Sequence, residues 1–264
     1  MIQSPKPNRF VTLIFFSTIA FLYLPLVYLI LQTFLNDPND ITRGFTLKWL
    51  IRLVESGTLW EPLTNSIVIA TVSATLAVVI GTLGALGLTP ITQRLPVTLQ
   101  TLIMLPILLP EVITGLSLLL LFLVWRIPLG MGTVIIAHAS FTASFVYFIM
   151  VEQLRKLDPH LSEAAQDLGA KPSETFWKVT FPNILPGLMG GWLLAFTISF
   201  DDFLISFFTS GAGLTTLPLK IYSLMKIGLS PELNGLSFLM ITLSTTLVLV
   251  LLSRENSRRW VLKG

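Results

Sequence analysis

Long apolar runs separated by short polar stretches dominate the chain. A helix needs about 20 mostly apolar residues to cross the hydrocarbon core of a bilayer, and six runs reach that length. These runs cover approximately residues 10–35, 63–87, 98–124, 132–151, 184–209 and 233–252. Their apolar residues are continuous and do not alternate with polar ones, which favours helices and makes strands unlikely. The pattern therefore predicts an all-α integral membrane protein with a six-helix transmembrane bundle.

Composition supports the membrane class. The chain has 264 residues, of which 53% are hydrophobic and 12% are charged, whereas a soluble domain carries about 25% charged residues. The first run follows Lys6 and Arg9 as a signal peptide would. It is about twice as long as the apolar region of a signal peptide, however, so we expect an uncleaved span. The basic residues form no stripe, which argues against nucleic acid as a partner, and the absence of cysteine excludes thiol chemistry.

The basic residues predict the orientation. Six spans place both termini on one side, together with eleven of the 17 lysines and arginines, and leave six on the other side. Cytoplasmic loops carry the excess of positive charge, so we expect both termini in the cytoplasm. In the outer loop after the first span, Lys48, Arg52 and Glu55 share one helical face. This spacing predicts a short helix that lies either in the membrane interface or against the bundle.

The polar segment at residues 152–182 carries four basic and five acidic residues, a near-balance typical of a water-exposed element. Asp158 followed by Pro159 predicts the start of a helix, and Gly169 predicts its end. We expect Ser173 to cap a second short helix that Pro182 terminates. The segment is then a pair of helices joined at a glycine elbow, and a solvated linker is the alternative.

This segment resembles the EAA loop of bacterial ABC-importer permeases. The letters E-A-A at 163–165 are followed by G at 169 and by V-T-F-P at 179–182. The spacing is that of the family pattern, which has isoleucine and leucine where this chain has valine and phenylalanine. The resemblance implies a cytoplasmic coupling helix, within a loop at about 153–183, that docks into a groove on an ATPase subunit. The residues assigned to this docking element are Glu163, Ala164, Ala165, Asp167, Gly169 and Pro182.

Other motifs resemble the spermidine/putrescine-type subgroup of these permeases. The motifs are N-S at 65–66, L-P-E at 109–111, G-L-S at 115–117, S-F-D-D-F at 199–203, T-T-L-P-L-K-I-Y-S at 215–223 and S-P-E-L-N at 230–234. The resemblance implies a type I ABC-importer permease in the bacterial inner membrane. It also implies one transmembrane permease domain over residues 1–264, with a core at about 60–253, that forms half of a translocation pathway for polyamines.

The resemblance implies several partners as well. These are a second similar permease subunit, two ABC ATPase subunits that use ATP and Mg²⁺, a periplasmic or lipoprotein solute-binding protein, and membrane lipid. The chain has no G-x-x-x-x-G-K-[ST] phosphate loop. We therefore expect a transport subunit that is not an enzyme and holds no cofactor or metal. His138 and His160 are far apart in sequence, and we expect His138 to form an interhelical hydrogen bond.

Three carboxylates, Glu111, Asp201 and Asp202, fall inside predicted spans. An aspartate at the bilayer centre costs about 2.5–3.5 kcal/mol, and such residues usually line a path. Prolines just before Glu111 predict a broken helix that faces protein or a water-filled cavity. Asp201 and Asp202 diverge by about 100° around a helix axis. Only one of the two can face a narrow path squarely, and the other caps a break or bonds to a neighbouring helix.

The intramembrane acidic groups lack a lysine or arginine partner, which suits a cationic substrate. The chemistry alone accepts any organic cation, and the resemblance points to spermidine or putrescine. Trp192 and Phe200 are candidates for cation–π contacts with it, with lipid contact or helix packing as the alternative. Another organic cation, an opine-like solute and a proton-coupled secondary transporter are the alternative functions. A secondary transporter predicts internal repeats, and none is clear. A membrane-embedded enzyme would need a nucleophile with a base, or a metal constellation. The absence of cysteine and the separation of the two histidines argue against it.

Overall fold

The computed structural model describes residues 9–37, 40–88, 97–227, 234–239, 241–242 and 245. Its elements in chain order are α1 (Arg9–Phe34), β1 (Leu35–Asp37), β2 (Asp40–Phe45), α2 (Lys48–Glu55), α3 (Trp60–Leu88), α4 (Val97–Leu108), α5 (Glu111–Val124), α6 (Met131–Arg155), α7 (Pro159–Asp167), α8 (Pro172–Thr175), a π-helical turn (Phe176–Thr180), α9 (Phe181–Asp201), α10 (Leu204–Thr209) and α11 (Leu217–Ile227). Within these ranges the chain is predominantly helical, as the apolar pattern predicts.

Four helical segments in the described part of the chain are long and apolar enough to cross a bilayer. They are α1, α3, α6 and the continuous stretch Pro172–Asp201. A fifth crossing arises if the bent pair Thr101–Leu108 and Glu111–Val124 counts as one span. The sixth predicted span, at about 233–252, falls largely outside the described residues. The count of six therefore stays a prediction.

Two of the predicted spans are broken. The third, at 98–124, bends by 110° between Thr101–Leu108 and Glu111–Val124, which confirms the break predicted before Glu111 and shows that this run is not one straight helix. Pro110 lies at the break, and a proline disfavours helical geometry in the residue before it. The fifth, at 184–209, is also wrong as one helix. Helix α9 ends at Asp201, and Asp202 is extended, with φ −68° and ψ 120°.

The chain forms two compact units. The first comprises Met1–Leu59 with Ile221–Gly264. Its strands β1 and β2 pair antiparallel, with Leu35 opposite Phe45, in a loop for which the sequence predicted only the short helix that follows. The hairpin connects α1 to α2, in the polar loop that follows the first apolar run. The predicted short helix at residues 48–55 is confirmed as α2.

The second unit, Trp60–Lys220, is built on the mutual packing of α3, α6 and α9. Small residues on α3 let the helices approach closely, and a buried cluster around Ala77, Val146 and Ile184 fills the interface. A second cluster, around Phe122, Phe141 and Ile205, joins α5, α6 and α10.

Candidate functional site

The carboxylates of Glu111, Asp201 and Asp202 lie near the points where the two predicted spans are broken. Helix α5 begins at Glu111, and one turn later Gly115 packs directly on α10. A Cβ at Gly115 would lie 2.8 Å from the Phe208 ring and 3.3 Å from the Ile205 backbone. This close approach places Glu111 beside the break between α9 and α10. Glu111 and Asp201 are both near enough for their charges to act on the Asp202 carboxylate.

The two adjacent aspartates have different surroundings. Asp202 is buried and its carboxylate caps α10, because Oδ1 accepts from the Ile205 N–H at 2.9 Å and the Ser206 N–H at 3.3 Å. A cap of this kind satisfies backbone donors that lack partners in the first turn of a helix. Asp201, the last residue of α9, is exposed, and so is Glu111. The pair therefore divides into one capping residue and one accessible carboxylate.

His138 on α6 bonds to both sides of the same break. Its Nδ1 lies 2.7 Å from Ser199 Oγ, at the end of α9, and its Nε2 lies 3.1 Å from Ser206 Oγ, on α10. The Asp202 carboxylate is further away, at 3.8 Å from Nε2. The predicted interhelical hydrogen bond of His138 is confirmed, and the structure adds a second one. No motif in the sequence points to these two serine partners.

A row of aromatic rings runs along one face of α9 towards Asp201. Trp192 and Phe196 stack with centroids 5.2 Å apart, and Phe196 and Phe200 stack at 5.8 Å. The Trp192 Nε1–H donates to Thr75 Oγ1 on α3 at 3.2 Å, which orients the indole. The structure thus places both aromatic candidates, Trp192 and Phe200, in one stacked series that ends next to the exposed carboxylate.

The polar segment begins with the cap that the sequence predicts. Asp158 Oδ1 accepts from the His160 N–H at 3.0 Å, with Pro159 at the first position of α7. The helix ends at Gly169, whose φ of +87° is the left-handed conformation that glycine adopts most readily. The Gly169 N–H donates to the Gln166 carbonyl at 2.8 Å, and the Ala170 N–H donates to the Ala165 carbonyl at 3.0 Å. This pair of bonds is a Schellman motif and confirms the predicted elbow.

Five of the six residues assigned to ATPase docking lie on or next to the exposed surface of α7, and the sixth, Pro182, lies in α9. Glu163 pairs with His160 at 3.1 Å, and both side chains are largely exposed. Ala164, Asp167 and Gly169 are exposed, and Ala165 is half-buried. Leu168, immediately before the elbow, is 89% exposed.

The second short helix differs from the sequence prediction. Lys171, and not Ser173, precedes α8, and its N–H donates to Glu174 Oε2 at 3.1 Å. The chain then passes through the π-helical turn into α9 without a stop. Pro182 lies in the first turn of α9, so the prediction that it ends a helix is wrong. Proline has no N–H to donate to the preceding turn, and the irregular π-helical turn Phe176–Thr180 lies directly before α9.

On either side of the polar segment, α6 and α9 are joined by a contact that no sequence motif predicts. The Gln153 Nε2 on α6 donates to the Asn183 carbonyl on α9 at 3.0 Å. A Cβ at Gly187 would lie 2.7 Å from Gln153 Cγ, so the glycine makes room for the glutamine. This contact ties together the two helices that enter and leave the polar segment.

Two of the motifs that carry the resemblance meet in space. The Asn65 side chain, near the start of α3, donates to the Thr215 carbonyl at 3.1 Å. The adjacent Ser66 Oγ accepts from the Leu217 N–H at 2.8 Å. These bonds hold the chain after α10 against α3. Within the described residues, no three histidine, aspartate or glutamate side chains are grouped as a metal site would require.

Comparison with known proteins decides the family. The sequence profile described as "Binding-protein-dependent transport system inner membrane component" matches residues 77–255. The chain belongs to this family. Membership makes it a membrane-embedded transport component and not an enzyme, and the all-α permease fold predicted from the sequence is confirmed.

Individual relatives agree with this assignment. The chain is 36% identical over 245 residues to the spermidine/putrescine transport system permease protein PotC of Haemophilus influenzae, covering 92% of this chain and 95% of the relative. It is 38% identical over 245 residues to the putrescine transport system permease protein PotI of Escherichia coli, covering 89% and 86%. A crystal structure of a bacterial ABC transporter that imports alginate superposes with a TM-score of 0.66 at 15% identity, covering 95% of this chain and 99% of the other.

Proposed function

We propose that the chain is the permease subunit of an ATP-driven importer and forms half of a pathway for polyamines such as spermidine and putrescine. The relatives named above are permease proteins of spermidine/putrescine and putrescine transport systems. The observation that carries the substrate class is that two exposed carboxylates, Glu111 and Asp201, both lie near enough to Asp202, at the break between α9 and α10, for their charges to act on it. A polyamine carries several ammonium groups, which these carboxylates are suited to attract.

The aromatic row gives the cation a second kind of contact. An ammonium within about 6 Å of an aromatic ring face is attracted by the ring quadrupole. Trp192, Phe196 and Phe200 are stacked along α9 towards Asp201. The methylene chain of a polyamine suits the same surfaces, because it can pack against the rings between charged groups.

Energy enters the chain through α7 and the elbow at Gly169. We propose that Leu168 and the face around Glu163, Ala164 and Ala165 dock on an ATPase subunit. ATP and Mg²⁺ are then used in two partner ATPase subunits. The Gln153–Asn183 bond joins α6 to α9 on either side of the polar segment, so we expect a push on α7 to move both helices together. A second permease subunit, a solute-binding protein and cytoplasmic termini complete this arrangement.

The experiment is uptake of radiolabelled spermidine and putrescine by the full complex in proteoliposomes. Asp201→Asn and Glu111→Gln remove charge with little change in shape, and we expect each to lower uptake roughly tenfold or more, equivalent to about 1.4 kcal/mol. Glu55→Gln, at the end of α2, is the matched control and should leave uptake unchanged. Wild-type uptake in both variants would remove these carboxylates from the path. A preference for an opine-like or neutral solute over polyamines would overturn the substrate class.

A further inference from the structure

We propose that His138 is a positioning residue that stabilises the break between α9 and α10. The Asp202 carboxylate then keeps capping α10, and the Asp201 carboxylate faces the path. The assignment of Asp201 to the path rests on the proposed function. The clamping of the break itself rests on the geometry of three buried side chains. His138 is 2% exposed, Ser199 4% and Ser206 0%.

The two serines lie on opposite sides of the break. Ser199 and Ser206 are seven residues apart, and in one continuous helix their positions would be separated by about 10.5 Å along the axis. In this structure one imidazole ring hydrogen-bonds to both serines, at 2.7 and 3.1 Å. These two bonds therefore join the end of α9 to α10 across the break.

The chain between these serines has no residue that breaks a helix by itself. The sequence from 199 to 206 contains neither proline nor glycine, so the break does not arise from a residue of either kind. Unsatisfied backbone groups at a break are costly inside a membrane. The Asp202 cap satisfies the Ile205 and Ser206 donors, and His138 holds the two serines close enough for that cap to persist.

His138 is suited to this task because a neutral imidazole offers one donor and one acceptor. Each serine hydroxyl can take the complementary role. The ring comes from α6, which packs against both α9 and α10, so the clamp holds the break from outside. The Nε2 to Asp202 distance of 3.8 Å exceeds hydrogen-bonding distance, so Ser206 is the direct partner and Asp202 remains available for capping.

The absence of cysteine from the chain allows a direct test. In the assembled complex, Asp201→Cys is reacted with a membrane-impermeant trimethylammonium methanethiosulfonate, and the label on this chain is resolved by gel. We expect His138→Leu to change the labelling rate at least about fivefold, the scale of one lost hydrogen bond. His138→Gln keeps a donor and an acceptor and should stay closer to the parent rate. Ser206→Ala removes one bond and should give an intermediate change, which keeps the test decisive should His138→Leu assemble poorly.

Thr133→Val is the matched control. Thr133 also joins α6 to α10, by donating to the Thr209 carbonyl at 2.8 Å, and both residues are buried. Its bond lies away from the break, so the labelling rate should not change. Equal labelling rates in His138→Leu, Ser206→Ala and Thr133→Val would overturn the proposal.

A second readout concerns coupling. With Asp201 present, His138→Leu should raise the number of ATP molecules hydrolysed per spermidine transported, whereas Thr133→Val should not. If the rates of ATP hydrolysis and spermidine transport fell by the same factor, the variant would have lost only folded complex, and the result would contradict a positioning role. The labelling arm needs no cargo, so it stands or falls separately from the polyamine assignment.

Discussion

Replacing Gly81 with alanine tests how closely α3 and α6 must approach. A Cβ at this position would lie 2.8 Å from the Ala143 carbonyl oxygen and 2.8 Å from the Tyr147 backbone nitrogen. Backbone atoms cannot rotate away, so the two helices must separate by about 0.6 Å to reach ordinary contact at 3.4 Å. Overpacking of this kind costs about 1–3 kcal/mol, against a gain of about 0.5–1 kcal/mol for alanine over glycine within a helix. The net expectation is a loss of about 1–2 kcal/mol.

The assay is unfolding in mixed detergent micelles titrated with sodium dodecyl sulfate and followed by tryptophan fluorescence. Gly87→Ala is the matched control, because it lies on the same helix and a Cβ there has no described neighbour within 4 Å. We expect Gly87→Ala to raise the free energy of unfolding slightly and Gly81→Ala to lower it. A Gly81→Ala protein as stable as Gly87→Ala would refute the close approach of α3 and α6.

The same titration tests two further local features. Arg126 has φ +54°, where a side chain costs about 1–2 kcal/mol, so Arg126→Gly should raise the free energy of unfolding. Gly169 has φ +87°, so Gly169→Ala should lower the free energy of unfolding by a similar amount. Effects of the same sign in the two variants would contradict this reasoning. Asp202→Ala should lower the free energy of unfolding by about 0.5–2 kcal/mol through loss of the α10 cap, and Asp202→Asn should restore most of it; equal losses in both variants would argue against capping.

Local signals in the sequence predicted local structure well. The Asp158–Pro159 cap and the Gly169 elbow are each set by a few neighbouring residues, and both are present as predicted. The break before Glu111 was signalled by Pro110, because the effect of proline on the backbone is intrinsic. The family resemblance rests on the same short motifs, and the profile match confirms it.

Features that depend on distant residues were not predictable. The break at Asp202 has no proline or glycine, and its partners on α6 are more than 60 residues away. The role of Pro182 was predicted wrongly because a proline can either end a helix or occupy its first turn. The π-helical turn Phe176–Thr180, which precedes Pro182 and continues into α9, is not visible in the sequence. The hairpin was missed because β1 has only three residues and β2, with the sequence D-I-T-R-G-F, does not alternate apolar and polar residues.

The most direct test of the central claim compares two sets of proteoliposomes under the same spermidine gradient. One set holds the full complex with ATP and Mg²⁺, and the other holds this chain alone. The account predicts ATP-dependent spermidine accumulation in the first set and none in the second, because the work must enter through α7 from a partner ATPase. Accumulation driven by the chain alone would contradict it.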